Sequence, residues 1–114
     1  AEIAVKHGFQ VNTHAIGDRG VREVLDLYER AWATVGVEGN DLRWRIEHSQ
    51  HIDPLDVPRF GELGVVASVQ AIHGTSDGPW IPSRLALQFA GTLISPRFVL
   101  RAVAEVHLTN SIHN

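Results

Sequence analysis

Hydrophobic and polar positions change their period along this chain, and each change predicts a new element. The apolar run at residues 9–13 is typical of a buried strand. From Asp18, which we expect to cap it, a helix is predicted by apolar residues at helical spacing, and Gly36 should end it. Arg22 and Asp26 lie four positions apart on the polar side of this helix, and a weak ion pair is expected between them.

Two further strands are predicted at residues 43–47 and 65–69, with a short helix at 58–63 between them. The order β-α-β-α-β with continuous apolar strands predicts an α/β fold whose parallel sheet is covered on both faces. Residues 74–82 are rich in small and turn-forming types and predict a loop. Ser95, followed by Pro96, predicts the start of a C-terminal helix whose placement the sequence does not indicate.

Composition narrows the class of protein. The chain has 114 residues, which suits one domain, whereas a closed eight-stranded barrel needs about 200 or more. A net charge of −3 without a basic block argues against a nucleic-acid partner. No cysteine is present, so disulfides, thiolate zinc sites and a cysteine nucleophile are excluded. No apolar run approaches a membrane span of about 18 residues, and no signal peptide is visible, so we expect a cytoplasmic protein.

Two histidines each close a predicted strand. His14 ends the first strand and His48 the second, 34 positions later, which is about one βα repeat. Neighbouring parallel strands present such side chains together at their carboxyl ends, where α/β folds bind ligands. Two neutral imidazoles aimed at one point form half of a four-coordinate metal site, and a zinc site needs at least one more protein ligand. The alternative, that each ring only forms a hydrogen bond at a strand end, stays open.

Further polar residues surround this edge of the predicted sheet. His73 follows the third strand, and a role in substrate binding or proton transfer and a plain structural role are both open for it. His51 is expected to be a loop residue. Asp18 is alternatively a carboxylate that orients His14 from behind. Residues 17–20 read as a tight turn, and a phosphate-binding turn at the helix start is the alternative.

Four motifs occur in order along the chain. They are VNTHAIGDR at 11–19, RIEHSQHI at 45–52, VVASVQAIH at 65–73 and TSDGPW at 75–80. Together they resemble the amidohydrolase superfamily and, more narrowly, its exoenzyme-regulatory-like or N-substituted-formamide-deformylase-like branch of metal-dependent hydrolases. The resemblance covers about residues 1–85. It implies a partial TIM-barrel-like β/α unit that corresponds to barrel strands five to seven of a distorted barrel with a small β-sandwich beside it.

The resemblance also implies roles for individual residues. His14, at the end of strand five, and His48, at the end of strand six, match metal ligands, with zinc or another divalent ion as the cofactor and one or two ions in the complete enzyme. His73 matches the strand-seven end and is expected to bind substrate. Asp77 superficially resembles the proton-transferring aspartate of strand eight, but that assignment would leave strand seven missing. We therefore assign no catalytic residue.

The chain also departs from the family pattern. It lacks the strand-one His-x-His, the strand-four ligand and the strand-eight aspartate, and the resemblance ends near residue 85. We expect a partial barrel at 1–85 and a divergent, helical tail at 86–114, as in a truncated or frameshifted gene. The implied function is a fragment of a hydrolase of non-peptide carbon–nitrogen bonds, inactive alone, with a small amide-like substrate and a homo-oligomeric state. The alternatives are a non-catalytic oligomeric α/β module and a phosphate-binding βαβ unit.

Overall fold

A computed structural model describes residues 1–39, 41–79 and 81–84 of the chain. These residues alternate between helices and short parallel strands, as the sequence pattern predicts. The elements are, in order, α1 (Glu2–Lys6), β1 (Asn12–Ala15), α2 (Asp18–Val35), β2 (Arg45–His48), α3 (Val57–Glu62), β3 (Val66–Ser68), α4 (His73–Ser76) and α5 (Ile81–Arg84). Residues 74–82, expected to be a loop, thus contain most of α4 and the start of α5. The helix expected from Ser95 lies outside the described residues.

The three strands form one parallel sheet in the order β1-β2-β3. Thr13 is paired with Ile46, and Ile46 with Ala67. The β-α-β-α-β order is confirmed, and the fold is α/β, consistent with a partial β/α unit. The first strand begins later than its apolar run, because pairing with β2 starts at Asn12, and Phe9 is 65% exposed.

Helix α2 follows the predicted periodicity closely. Val21, Leu25 and Tyr28 are fully buried at spacings of four and three residues. Gly36 ends the helix in the left-handed conformation, at φ 72°, which glycine adopts without a steric penalty. The N-cap expected at Asp18 is wrong: Gly17 is the cap residue, and Asp18 is the first helical residue. Its carboxylate there still complements the positive end of the helix dipole.

An aromatic cluster joins α2 to the sheet. The Tyr28 ring lies edge-on to Trp44 at 4.8 Å between centroids, and Trp32 meets Trp44 at 5.4 Å. The Tyr28 hydroxyl lies 2.7 Å from Thr13 Oγ1 on β1 and 3.0 Å from the Arg45 carbonyl oxygen on β2. Burial raises the pKa of this hydroxyl, so it remains a hydrogen-bond donor. One side chain of α2 therefore ties together two neighbouring strands.

A charged network joins α2 to α3. The buried Asp56 carboxylate accepts from Arg22 Nε at 2.8 Å and from Arg59 Nη1 at 3.1 Å. Arg59 also binds Asp26 at 2.7 Å. The expected pairing of Arg22 with Asp26 is wrong. Arg22 binds Asp56 and Asp26 binds Arg59, and each partner lies more than 30 positions away along the chain.

The second face of the sheet is open among the described residues. Asn12, His14 and Val66 lie on it and are exposed, whereas Ile46 on the other face is fully buried against the helices. The described residues do not confirm the expectation of a sheet covered on both faces. Right-handed βα connections place successive helices on one side, as in the wall of a barrel. In the described part of the chain, we find no helix with the length and apolar character to cross a membrane.

Candidate metal centre

The two strand-end histidines lie side by side, although the strand register alone would separate them. His14 is paired with Glu47, and His48 is paired with Ala15. Because side chains alternate along a strand, His48 should share the helix-covered face with the buried Ala15. Instead, His48 adopts φ 72°, alternation ends at this residue, and its ring centroid lies 4.9 Å from that of His14. A left-handed residue at the strand end thus accompanies the meeting of the two rings.

This backbone conformation is held by its surroundings. Ser49 is also left-handed at φ 43°, and it is fully buried. Its hydroxyl donates to the Ile46 carbonyl oxygen at 3.0 Å, and its backbone N–H donates to Ala15 at 3.0 Å. Left-handed conformations of residues other than glycine cost about 1–2 kcal/mol each and persist where tertiary contacts hold them, often at functional sites. The strain therefore lies at the end of β2, beside the candidate site.

A chain of hydrogen bonds runs from His48 across the carboxyl edge of the sheet. Gln70 Oε1 lies 2.8 Å from His48 Nδ1 and 2.6 Å from His73 Nε2. Asp77 Oδ2 lies 3.0 Å from His73 Nδ1 and accepts from Gln50 Nε2 at 2.7 Å. Four of these side chains line a small cleft at the ends of β2 and β3: His48, Gln50, Gln70 and His73.

The distance between the two ring centroids matches that of two ligands of one metal ion. An ion about 2.0–2.1 Å from one nitrogen of each ring, at the tetrahedral angle, would place the ring centroids about 5 Å apart. In the described segments, neither His48 Nε2 nor either nitrogen of His14 takes part in a hydrogen bond, so both rings have a nitrogen available. Those segments contain no group of three or more histidine, cysteine or acidic side chains that could hold a metal. The donor set fits two ligands of an incomplete site.

The remaining site residues from the sequence are placed as follows. His73 reaches the same edge, with its ring centroid 5.8 Å from that of His48. Within residues 1–39, 41–79 and 81–84, no hydrogen bond joins Asp18 to His14, so the orienting role of Asp18 stays a prediction. Asp18 instead acts electrostatically on His51, whose loop position is as expected but whose side chain is buried.

Burial dominates the environment of His51. Desolvation lowers the pKa of its imidazole, and the nearby Asp18 and Asp77 carboxylates oppose that effect. Its Nδ1 is buried and has no hydrogen-bond partner among the described residues. An isolated histidine in a loop of the sequence gives no indication of such burial.

Three residues of this hydrogen-bonded chain were not assigned as site residues from the sequence: Gln50, Gln70 and Asp77. One feature of the sequence could have indicated Gln70 as a site residue: it is a polar side chain at the end of an apolar strand run, three residues before His73. Hydrogen bonds from the Ser76 hydroxyl and then from Gln50 lower the pKa of Asp77, which keeps its carboxylate charged. This aspartate, to which no catalytic role was assigned, thus belongs to the hydrogen-bonded surroundings of His73.

The model of the Amidohydrolase family matches residues 1–102. The chain belongs to this family. Its match continues past residue 85, so part of the segment expected to diverge lies within the family model, and the boundary at 85 stays a prediction. The subdivision of the family to which the chain belongs also stays a prediction.

Individual relatives support the family assignment. The chain is 40% identical over 111 residues to LONG AFTER FAR-RED 3 of Arabidopsis thaliana, a match of 97% of this chain and 17% of that protein. It is similar to two solved structures of uncharacterized metal-dependent hydrolases. The one from Pyrococcus furiosus has a TM-score of 0.70 and 30% identity, covering 92% of this chain and 19% of that one. The one from Pyrococcus horikoshii OT3 has a TM-score of 0.67 and 27% identity, covering 89% and 19%. The chain spans less than a fifth of each of these relatives.

Proposed function

We propose that this chain carries part of the metal site of a hydrolase that acts on non-peptide carbon–nitrogen bonds. His14 and His48 are its proposed metal ligands, and zinc is the proposed ion because both donors are imidazole nitrogens. The observation that carries the proposal is the 4.9 Å separation of the two rings at the carboxyl ends of β1 and β2. The two structural neighbours are metal-dependent hydrolases, which supports the proposal of a metal-dependent hydrolase.

The proposed substrate is a small amide or N-substituted formamide. A bound divalent ion supplies Lewis acidity toward such a carbonyl and lowers the pKa of water. His14 and His48 would hold that ion, while His73 lies at the same edge, 5.8 Å from His48, within reach of a substrate there. His73 is fixed by Gln70 and Asp77, so its ring is oriented before any substrate arrives. Two ligands do not complete a catalytic zinc site, so we propose that the 114-residue chain is inactive alone.

Zinc titration followed by calorimetry tests the metal site. We expect the wild-type chain to bind zinc, and His14→Ala and His48→Ala each to weaken binding by at least about tenfold, because each removes one of two ligands. His7→Ala is the matched control, since His7 is exposed and precedes the amino end of β1. Unchanged zinc binding in the His14→Ala, His48→Ala double variant would refute the site.

A turnover assay tests the hydrolase assignment. With zinc present, the 114-residue chain should release no formate from N-substituted formamides. Where the coding DNA continues the reading frame on either side, the longer product should release formate, and His48→Ala in that product should abolish the release. A longer product that hydrolyses no amide or formamide, although it binds zinc through these residues, would overturn the proposed chemistry.

A non-catalytic module that assembles with copies of itself is the second candidate. It is favoured by large apolar side chains that the described fold leaves exposed, including Phe9 at 65%, Val66 at 45% and Ile72 at 64%. Light scattering after size exclusion, with metal analysis of the same fractions, separates the two. A metal-free oligomer that binds no added zinc would favour the module, whereas stoichiometric zinc would favour the hydrolase site.

A further inference from the structure

Asp77, directly after α4, is held in place by hydrogen bonds from two parts of the chain. The buried Gln50, which follows β2, donates from Nε2 to Asp77 Oδ2 at 2.7 Å. The Ser76 hydroxyl donates to the other oxygen, Oδ1, at 2.9 Å. Oδ2 also lies 3.0 Å from Nδ1 of His73, four residues earlier. These contacts fix a charged carboxylate behind the His73 ring.

The Asp77 carboxylate determines which nitrogen of a neutral His73 has the hydrogen. An ionised carboxylate only accepts hydrogen bonds, and a neutral imidazole has one donor and one acceptor nitrogen. The hydrogen is therefore on Nδ1, which faces Asp77, and the lone pair is on Nε2. Carboxylates set the tautomer and the orientation of functional histidines by this kind of contact. Nε2 of His73 is left as an acceptor only.

Gln70 supplies a donor to this lone pair. Its carboxamide lies 2.6 Å from His73 Nε2 and 2.8 Å from His48 Nδ1. A carboxamide oxygen toward His73 would place two acceptors against each other, whereas half a rotation exchanges oxygen and nitrogen and brings a donor there. The nitrogen has two hydrogens, one for each ring, so a neutral, metal-free His48 has its own hydrogen on Nε2. His73 thus accepts from an amide N–H, a group that primary and secondary amide substrates also have.

We propose that Asp77 is a positioning residue that holds His73 as its Nδ1–H tautomer, so that Nε2 accepts the N–H hydrogen of an amide substrate in place of Gln70. The tautomer does not depend on the proposed function, whereas the amide substrate rests on it. Gln70 is exposed and is not part of the buried core, so its side chain can leave without disturbing the packing. His48 could bind an ion through Nε2 only with its hydrogen moved to Nδ1, which would likewise release Gln70.

Two substitutions separate the effects of Asp77 and Gln70. Asp77→Ala removes the acceptor behind His73, so the ring should become a mixture of tautomers. Gln70→Leu removes the partner of Nε2 but leaves Asp77 in place, so the tautomer of His73 should be unchanged. Asp41→Ala is the matched control, since Asp41 is exposed and precedes the amino end of β2, whereas His48 is at its carboxyl end. Wild type and Gln70→Leu decide the tautomer even if Asp77→Ala does not fold.

Long-range ¹H–¹⁵N correlation spectra of histidine-labelled, metal-free protein identify the tautomer. The spectra are recorded at about pH 8.5, above the ordinary histidine pKa of about 6.5. We expect a pyrrole-type Nδ1 and a pyridine-type Nε2 for His73 in the wild type, in Gln70→Leu and in Asp41→Ala, and averaged shifts in Asp77→Ala. A wild-type His73 with a hydrogen on Nε2, in a neutral or a charged ring, would overturn the proposal. Unchanged shifts in a folded Asp77→Ala variant would also overturn it.

Turnover of two matched substrates tests the use of this lone pair. The longer product should show a higher kcat/KM for an N-alkylformamide, which has an N–H, than for the N,N-dialkylformamide, which has none. Asp77→Ala should lower this ratio by about 3–10-fold, the contribution of one hydrogen bond, and Asp41→Ala should leave it unchanged. The same ratio in wild type and Asp77→Ala would refute the acceptor role of His73. If the longer product hydrolyses neither substrate, the proposed function fails, while the tautomer still tests the role of Asp77.

Discussion

Asp56 is a buried charge at the start of α3 that binds an arginine of α2 and an arginine of α3. Its side chain is 4% exposed and bonds to Arg22, which is 44% exposed, and to Arg59, which is 22% exposed. Removal of one partner from a fully buried ion pair costs about 3–5 kcal/mol. Here water reaches both guanidinium groups and compensates for part of the loss, so we expect Asp56→Ala to lower the free energy of unfolding by about 2–3 kcal/mol.

Urea unfolding followed by tryptophan fluorescence measures this loss. For a slope of about 1–3 kcal/mol per molar urea, the midpoint should fall by about 0.7–3 M. Asp56→Asn keeps the volume but removes the charge, and it should lose most of the same free energy. Glu23→Ala, which breaks the exposed Arg19–Glu23 pair, is the control and should leave the midpoint unchanged. A midpoint for Asp56→Ala equal to that of the wild type would refute the reasoning, and full retention in Asp56→Asn would assign the effect to volume.

Two further predictions concern buried polar side chains. Tyr28→Phe removes the hydroxyl that lies between Thr13 Oγ1 and the Arg45 carbonyl oxygen, so both oxygens lose this hydrogen-bond partner. We expect urea unfolding to show a free energy of unfolding lower by about 1–2 kcal/mol. An unchanged midpoint would contradict this expectation. Desolvation lowers the pKa of His51, so the unfolded chain takes up this proton at a higher pH than the folded chain, and stability should fall as the pH drops below about 6.5 toward the folded pKa. In His51→Phe the free energy of unfolding should depend less on pH in that window. His7→Ala is the control and should show the pH dependence of the wild type. Identical pH profiles for all three proteins would count against burial of His51 as the cause.

Local patterns were sufficient to predict most of the elements. The helix that ends at Gly36 was predicted closely because buried positions repeat with the helical period and glycine is the residue best suited to the left-handed stop. The parallel β-α-β-α-β order followed from the same kind of pattern. His14 and His48 were identified as candidates because each closes a strand run, and the structure brings their rings to 4.9 Å, while their role as ligands stays a prediction.

Local patterns failed where a side chain meets a partner distant in sequence. Arg22 and Asp26 have the spacing of a helical ion pair, yet each binds a side chain more than 30 positions away. Phe9 is apolar and belongs to a strand-like run, yet it is exposed because pairing with β2 begins three residues later. Hydrophobicity indicates what can be buried, but the neighbouring element decides what is buried.

The sequence by itself determined the alternation of helices and strands and the positions of the strand-end histidines, because these depend on residue period and on glycine stops. Tertiary structure alone decided how those histidines are placed relative to each other. It gave His48 a left-handed backbone, which simple strand alternation does not predict, and it brought Gln70, which follows the third strand, to the ring of His48. Both depend on contacts between residues more than 20 positions apart, and no local pattern of apolar and polar residues encodes such contacts.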